Sequence, residues 1–224
     1  SMIDQTSKVD LDRLRRLGMV EAIWGEHKSY EQIIEILKKF QESSQLALVT
    51  RVDVEKASKL SEAFKNAKYH SKANCVTLGS PLLPEPSLGK VLIVSGGTSD
   101  LKVAAEAELS LRLHGVSTEL LLDIGVAGLH RLLGCLERFE KAKVVIVCAG
   151  MEGALPTVIA GLISQPVIGL PVSVGYGVSK GGEAALQCML ASCTPGLVVV
   201  NIDNGYGAAM AALRIIKSSS INTL

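Results

Sequence analysis

From residue 90 onward, apolar positions take two alternating forms: short continuous runs, and longer stretches with apolar groups three and four apart. Continuous runs read as strands buried on both faces, and the spaced stretches as helices. Residues 91–94, 118–122, 144–148, 167–170 and 197–200 predict strands. Residues 101–113, 126–138, 154–163, 182–192 and 208–217 predict the intervening helices, the first ended by His114-Gly115. Strict alternation implies an α/β fold, a three-layer parallel sheet of the flavodoxin- or Rossmann-like kind with helices on both faces. Right-handed crossovers then bring all strand C-terminal ends to one edge, where open α/β sheets bind ligands.

The first 80 or so residues are more polar. Ile33, Ile34 and Leu37 alternate with Glu31, Glu35, Lys38 and Lys39, predicting an amphipathic helix over 30–40. Residues 46–49 and 75–78 predict strands, and 54–67 a second helix. Pro81, Pro84 and Pro86 break any regular element. The expected organisation is a small N-terminal α/β appendage at 1–86, a larger domain at 87–217 and a disordered tail at 218–224.

Composition narrows the function. The chain has 224 residues, 48% hydrophobic and 20% charged, which suits a filled core rather than disorder. A net charge of +1 gives no electrostatic case for nucleic acid or an anionic membrane as partner. No apolar run reaches a membrane span, and the first residues lack the regions of a signal peptide. The five cysteines have no metal spacing, so reduced thiols in a cytoplasmic protein are expected.

Glycines and small polar residues gather after the strands. Ser95-Gly96-Gly97-Thr98-Ser99-Asp100 follows the first. Its glycines allow close backbone approach, and Thr98 and Ser99 bring hydroxyls to a helix N-terminus that favours an anion. An ordinary capped turn is the alternative, since the loop is neither a Walker A sequence nor a full dinucleotide fingerprint. After the second strand, Asp123 is an acid/base or a ribose partner. His130 and Arg131 either face a phosphate or simply belong to the following helix. After the third, Gly150-Met151-Glu152-Gly153 sets a carboxylate between glycines, where packing gives it little reason to be.

After the fourth strand, Ser173, Tyr176 and Lys180 lie in a glycine-rich stretch suited to cover a substrate. Lys180 can reach a carboxylate or phosphate. By residue type Cys193 reads as a buried thiol, and reactivity would need a cationic neighbour. Asn201, Asp203 and Asn204 after the last strand either read polar ligand edges or cap the closing helix.

These residues fall in a familiar order. Gly97-Thr98-Ser99-Asp100, His130-Arg131, Ala149-Gly150 with Leu155-Pro156, and the stretch 166–171 resemble aminoimidazole ribonucleotide (AIR) carboxylases of the PurE type, over about residues 90–173. A longer resemblance, about 10–216, is to the LarB family, carboxylase/hydrolases that start synthesis of the nickel-pincer nucleotide cofactor. It rests on residues 97–100, 125–131, 149–156, 174–177 and 201–205, and on Asp12, Arg15, Gly18, Glu21, Gly25, Glu26 and Lys28. PurE proteins lack the N-terminal extension.

The LarB resemblance implies a PurE-like catalytic domain in a homo-octamer that takes nicotinic acid adenine dinucleotide. The ring is carboxylated at C5 and the phosphoanhydride cleaved, releasing AMP, the activity of a pyridinium-3,5-biscarboxylic acid mononucleotide synthase. It further implies Cys193 as a covalent nucleophile, Glu152 as base and Asp100 as a second acid/base. Gly97, Thr98, Ser99, His130, Gly150 and Met151 would hold the nucleotide, with Lys180 on a ring carboxylate. No tightly bound cofactor is implied. Carbon dioxide or bicarbonate is the co-substrate, and a divalent cation such as Mg2+ would assist the phosphoanhydride step. Two other readings compete: an aminoimidazole ribonucleotide carboxylase or mutase, which needs no thiol, and a nucleotide-binding homologue without catalysis.

Overall fold

The computed structural model describes residues 9–220. The chain divides into two compact units, the break falling between Leu82 and Leu83. The first contains α1 (Arg13–Leu17), β1 (Ala22–Trp24), α2 (Tyr30–Glu42), β2 (Ala47–Thr50), α3 (Val54–Ala63), β3 (Lys68–His70) and β4 (Cys75–Leu78). Its sheet runs β1-β2-β4-β3, with β1 and β2 parallel and the other pairs antiparallel. Ile33, Leu37 and Phe40 of α2 meet Leu60 of α3 over Val49 and Val76. A capping box starts α2: Gln32 N–H donates to Ser29 Oγ, and Ser29 N–H donates to Gln32 Oε1. Helix α3 is shorter than expected because Phe64 turns to an extended conformation and buries its ring.

Several residues that carry the N-terminal resemblance serve this unit's own structure. Arg15 pairs with Asp12, Gly18 closes α1 at φ 66°, and Glu21 accepts the Asp10 N–H. Lys56 Nζ donates to the carbonyls of Gly25 and Glu26.

The second unit contains β5 (Lys90–Ser95), α4 (Leu101–Leu113), β6 (Ser117–Leu121), α5 (Leu129–Leu133), α6 (Leu136–Glu140), β7 (Val144–Ala149), α7 (Leu155–Ala160), β8 (Val167–Pro171), α8 (Glu183–Leu190), β9 (Val198–Val199) and α9 (Gly205–Ser220). The sheet is parallel throughout, in the order β6-β5-β7-β8-β9. Leu92, Val94, Val145 and Val147 point to the face covered by α5 to α8. By the pleat, Val91, Ile93, Ile146 and Cys148 point to the other face, where α4 and α9 pack. Small residues let those two helices approach: a Cβ on Gly205 would stand 2.7 Å from the Val103 carbonyl oxygen.

Two expectations are corrected. Residues 126–138 form no single helix but a 3-10 turn (Val126–Gly128) followed by α5 and α6, because Cys135, next to Gly134, takes a non-helical φ of −125°. Helix α9 continues through Ser218 and Ser219, placed in a disordered tail by the sequence reading; both hydroxyls donate to the Ile215 carbonyl. Residues 221–224 of that expected tail lie outside the described residues. Among the described residues no helix is long and apolar enough to cross a membrane.

Candidate active site

The strand order reverses direction between β5 and β7, the switch point at which a 2-1-3-4-5 sheet opens a crevice beyond its strand ends. A cavity of about 450 Å³ lies there, within the range of small-ligand sites. Four loops form it: 96–100 after β5, 125–127 after β6, 149–155 after β7 and 174–176 after β8. Backbone bonds tie these loops together. Gly96 N–H donates to the Cys148 carbonyl, Ile124 N–H to Ser95, Val172 N–H to Ala149 and Met151 N–H to Val174. Glycine is needed at two crossings. A Cβ on Gly125 would lie 2.7 Å from the Gly96 carbonyl oxygen, and one on Gly150 would lie 2.4 Å from that of Val174.

Asp100 is the buried charge of the site, 4% exposed at the start of α4. Its Oδ2 accepts the Gly97 N–H at 2.9 Å. Burial raises its pKa above the ordinary carboxylate value against the lowering effect of the Gly97 and Gly96 N–H groups, and the charge of Asp203 adds to the rise. The glycine loop therefore spends N–H donors on its own carboxylate and on the Cys148 carbonyl. Its anion-binding capacity is smaller than the sequence suggests.

Across the cavity, Glu152 is exposed between Met151, at φ 52°, and Gly153, at φ 67°. That left-handed turn holds the carboxylate away from the core, at the cavity wall. The cavity thus contains one buried and one exposed carboxylic acid.

The structure gathers Gly97, Ser99, Asp100, Gly150, Met151, Glu152 and Tyr176 around the cavity. Thr98 is exposed on the same turn as Ser99. Asp123, at φ 60°, holds Arg131 by a 2.5 Å ion pair, and His130 beside it is exposed. Lys180 is exposed on the 173–181 loop.

The residues after β9 turn inward. Asn204 Oδ1 accepts the Gly207 N–H and so caps α9, while Asn201 Oδ1 accepts the Ile202 N–H. Asp203 accepts the N–H of Ser173. Of the two sequence alternatives for Asn204, the cap is the one realised.

Cys193 is exposed, which removes the reading of a buried core thiol. It lies three residues past α8, a helix that starts beside the 173–181 loop and runs roughly 12 Å along the sheet at 1.5 Å per residue. Its neighbours Ser192 and Thr194 bond to Thr157 on α7. It does not line the cavity. Cys148 is the thiol nearest Asp100 in the fold, and complete burial pushes its pKa far up, so it stays protonated. Among the described residues no group of three His, Cys, Asp or Glu side chains is arranged to hold a metal ion.

Sequence reasoning missed the apolar lining of Val126, Ala127, Ala154 and Val174. Their signals are position after strand ends and membership of the motifs 125–131, 149–156 and 174–177.

Fold and site together define an open parallel α/β domain with an acidic, glycine-walled cavity at its switch point. A family model described as AIR carboxylase matches residues 90–223, and one described as LarB/PurE-like N-terminal domain matches residues 3–80. The chain belongs to the AIR carboxylase family, within the PurE/LarB-like superfamily.

An uncharacterized protein of Methanocaldococcus jannaschii is 40% identical over 222 residues, 96% of this chain and 86% of its own. An N5-carboxyaminoimidazole ribonucleotide mutase of the same organism is 37% identical over 131 residues, 56% of this chain and 78% of its own. A mutase so named in Pyrococcus horikoshii is 32% identical over 126 residues, 55% of this chain and 70% of its own. The crystal structure of Treponema denticola PurE aligns at 19% identity and a TM-score of 0.48, covering 59% of this chain and 87% of that one.

Proposed function

We propose that this chain is a LarB-type carboxylase/hydrolase, which adds carbon dioxide to C5 of the pyridine ring of nicotinic acid adenine dinucleotide and cleaves the phosphoanhydride to release AMP. The observation that carries this reading is the union of a LarB/PurE-like N-terminal domain with an AIR carboxylase domain in one chain. The relatives named as mutases match little more than half of the chain.

The chemistry must make an electron-poor pyridinium attack carbon dioxide. A thiolate adds to C4, breaking aromaticity and leaving C5 as a nucleophilic enamine carbon. C5 bonds to carbon dioxide, Glu152 takes the C5 proton, and expulsion of the thiolate from C4 restores the aromatic ring. Asp100, held toward its protonated form by burial, donates a hydrogen bond or proton to ligand oxygen. Water then cleaves the phosphoanhydride.

Cys193 is the exposed thiol, yet it does not line the cavity of its own chain. In this reading the thiol reaches the ring from a second copy, in a homo-oligomer of the kind the resemblance implies. Mixing Cys193→Ala and Glu152→Gln chains tests this. Each alone loses at least about 100-fold in turnover, and co-refolded mixtures recover a sizeable fraction because some sites hold both intact groups. Full activity in Cys193→Ala alone refutes the covalent route.

A second reading, isomerisation of N5-carboxyaminoimidazole ribonucleotide, is favoured by one observation: the cavity of a single chain contains carboxylates and no thiol. It expects Cys193→Ala to be silent and the ribonucleotide, not the dinucleotide, to be consumed.

A further inference from the structure

Asp203 lies in the turn between β9 and α9, at a φ of 56° that L-residues rarely adopt. That conformation points two of its groups at the end of β8. Its N–H donates to the Pro171 carbonyl at 2.9 Å, and its Oδ1 accepts the Ser173 N–H at 2.8 Å. The sheet explains the need. Strand β9 pairs with β8 only at Ile168 and Gly169, so past Val200 no strand remains to satisfy the end of β8 on that side. Asp203 supplies both partners, one from its backbone and one from its side chain.

Ser173 also stands at the base of the loop whose residues 174–176 line the cavity. Its carbonyl accepts the Gly181 N–H at 3.2 Å, so the two ends of the 173–181 loop are joined at this residue. Within the loop, the Val174 carbonyl receives the Met151 N–H, and Val174 and Tyr176 line the cavity. Asp203 itself does not line it.

We propose that Asp203 is a positioning residue and not a substrate contact: its carboxylate latches the 173–181 loop through the Ser173 N–H. The inference rests on the cavity being the active site, as read above. The groups acting on Asp100 are Asp203 from the β9–α9 turn and the Gly96 and Gly97 N–H groups; the Cys148 thiol on β7 feels the Asp100 charge, and Glu152 lines the same cavity.

Two variants of the full chain separate the roles. Asp203→Asn keeps an acceptor oxygen and a residue type that tolerates positive φ, but removes the charge. Asp203→Ala removes both. Titration by carboxyl 13C NMR, with the Asp100 signal assigned by its loss in Asp100→Asn, reads the field. Hydrogen exchange at the Ser173 amide reads the latch.

In Asp203→Asn the Asp100 midpoint falls and Ser173 protection stays. In Asp203→Ala the midpoint also falls and the amide exchanges at least about tenfold faster. With substrate, the Asp203→Asn pH–rate profile moves to lower pH at near-constant KM. Unchanged Ser173 exchange in Asp203→Ala overturns the proposal. So does a large rise in KM with kcat intact, the mark of a substrate contact. Should Asp203→Ala not fold, Asp203→Gly, which suits the positive φ and also lacks the acceptor, reads the latch by the same exchange measurement. Absent turnover of the dinucleotide by the unmodified chain would sink the carboxylase reading, while the NMR and exchange results would still judge Asp203.

Discussion

Gly150 and Val174 meet backbone to backbone across the mouth of the cavity, so closely that a side-chain carbon on Gly150 would stand 2.4 Å from the Val174 carbonyl oxygen. The contact joins the acid-bearing turn after β7 to the loop after β8, and the Met151 N–H bond to the same carbonyl reinforces it. Because the obstacle is backbone, nothing can rotate away. Gly150→Ala is expected to displace the loop, cut kcat/KM at least about tenfold and cost about 1–3 kcal/mol of stability. Steady-state kinetics and thermal unfolding check both; unaltered kinetics would show that loop placement does not matter.

Asp100 carries a stability cost that depends on pH. Its folded pKa is raised above the unfolded value, so the native state holds the proton more tightly. The destabilisation is fully present above the folded pKa, fades as pH falls through it, and is gone below the unfolded value of about 3.8. Asp100→Asn should therefore raise the melting temperature at pH 7 while abolishing most activity, and the gain should shrink toward pH 4. An Asn variant that is equally stabilised at both pH values would contradict the assigned cause.

The Asp123–Arg131 pair sits at the rim, with both side chains substantially exposed. Exposed pairs contribute about 0–1 kcal/mol, so Arg131→Met should barely change the melting temperature. If Arg131 meets ligand phosphate, KM rises several-fold, kcat holds, and the difference from the unmodified chain narrows at high salt. Kinetics at two ionic strengths decide the matter.

Asn204 caps α9 through the Gly207 N–H. Asn204→Ala should cost about 1 kcal/mol, read by denaturant titration, with substrate selectivity unchanged. A change in selectivity would return Asn204 to the list of ligand contacts.

The larger unit was the more legible in sequence. Its helix α4 falls at the expected bounds because polar residues and glycine punctuate a clean apolar pattern, as they also do for strand β4 of the smaller unit. Strands β1 and β3 escaped notice for a physical reason. Each has three residues at a sheet edge, and Lys68-Tyr69-His70 has no apolar alternation to betray it. The loops that build the cavity were recognisable as strand-end loops. Which of them converge was not, since that depends on β5 lying between β6 and β7. Nor could sequence show that Asn204 turns to its own helix, or that Cys193 does not line the cavity.

Incubation of the full chain with nicotinic acid adenine dinucleotide and 13C-bicarbonate, followed by mass spectrometry, decides whether it carboxylates a nicotinic acid dinucleotide with release of AMP. A LarB-type carboxylase/hydrolase yields equimolar AMP and a pyridinium mononucleotide bearing one labelled carboxylate. Unchanged dinucleotide, beside isomerisation of N5-carboxyaminoimidazole ribonucleotide by the same preparation, would contradict that reading.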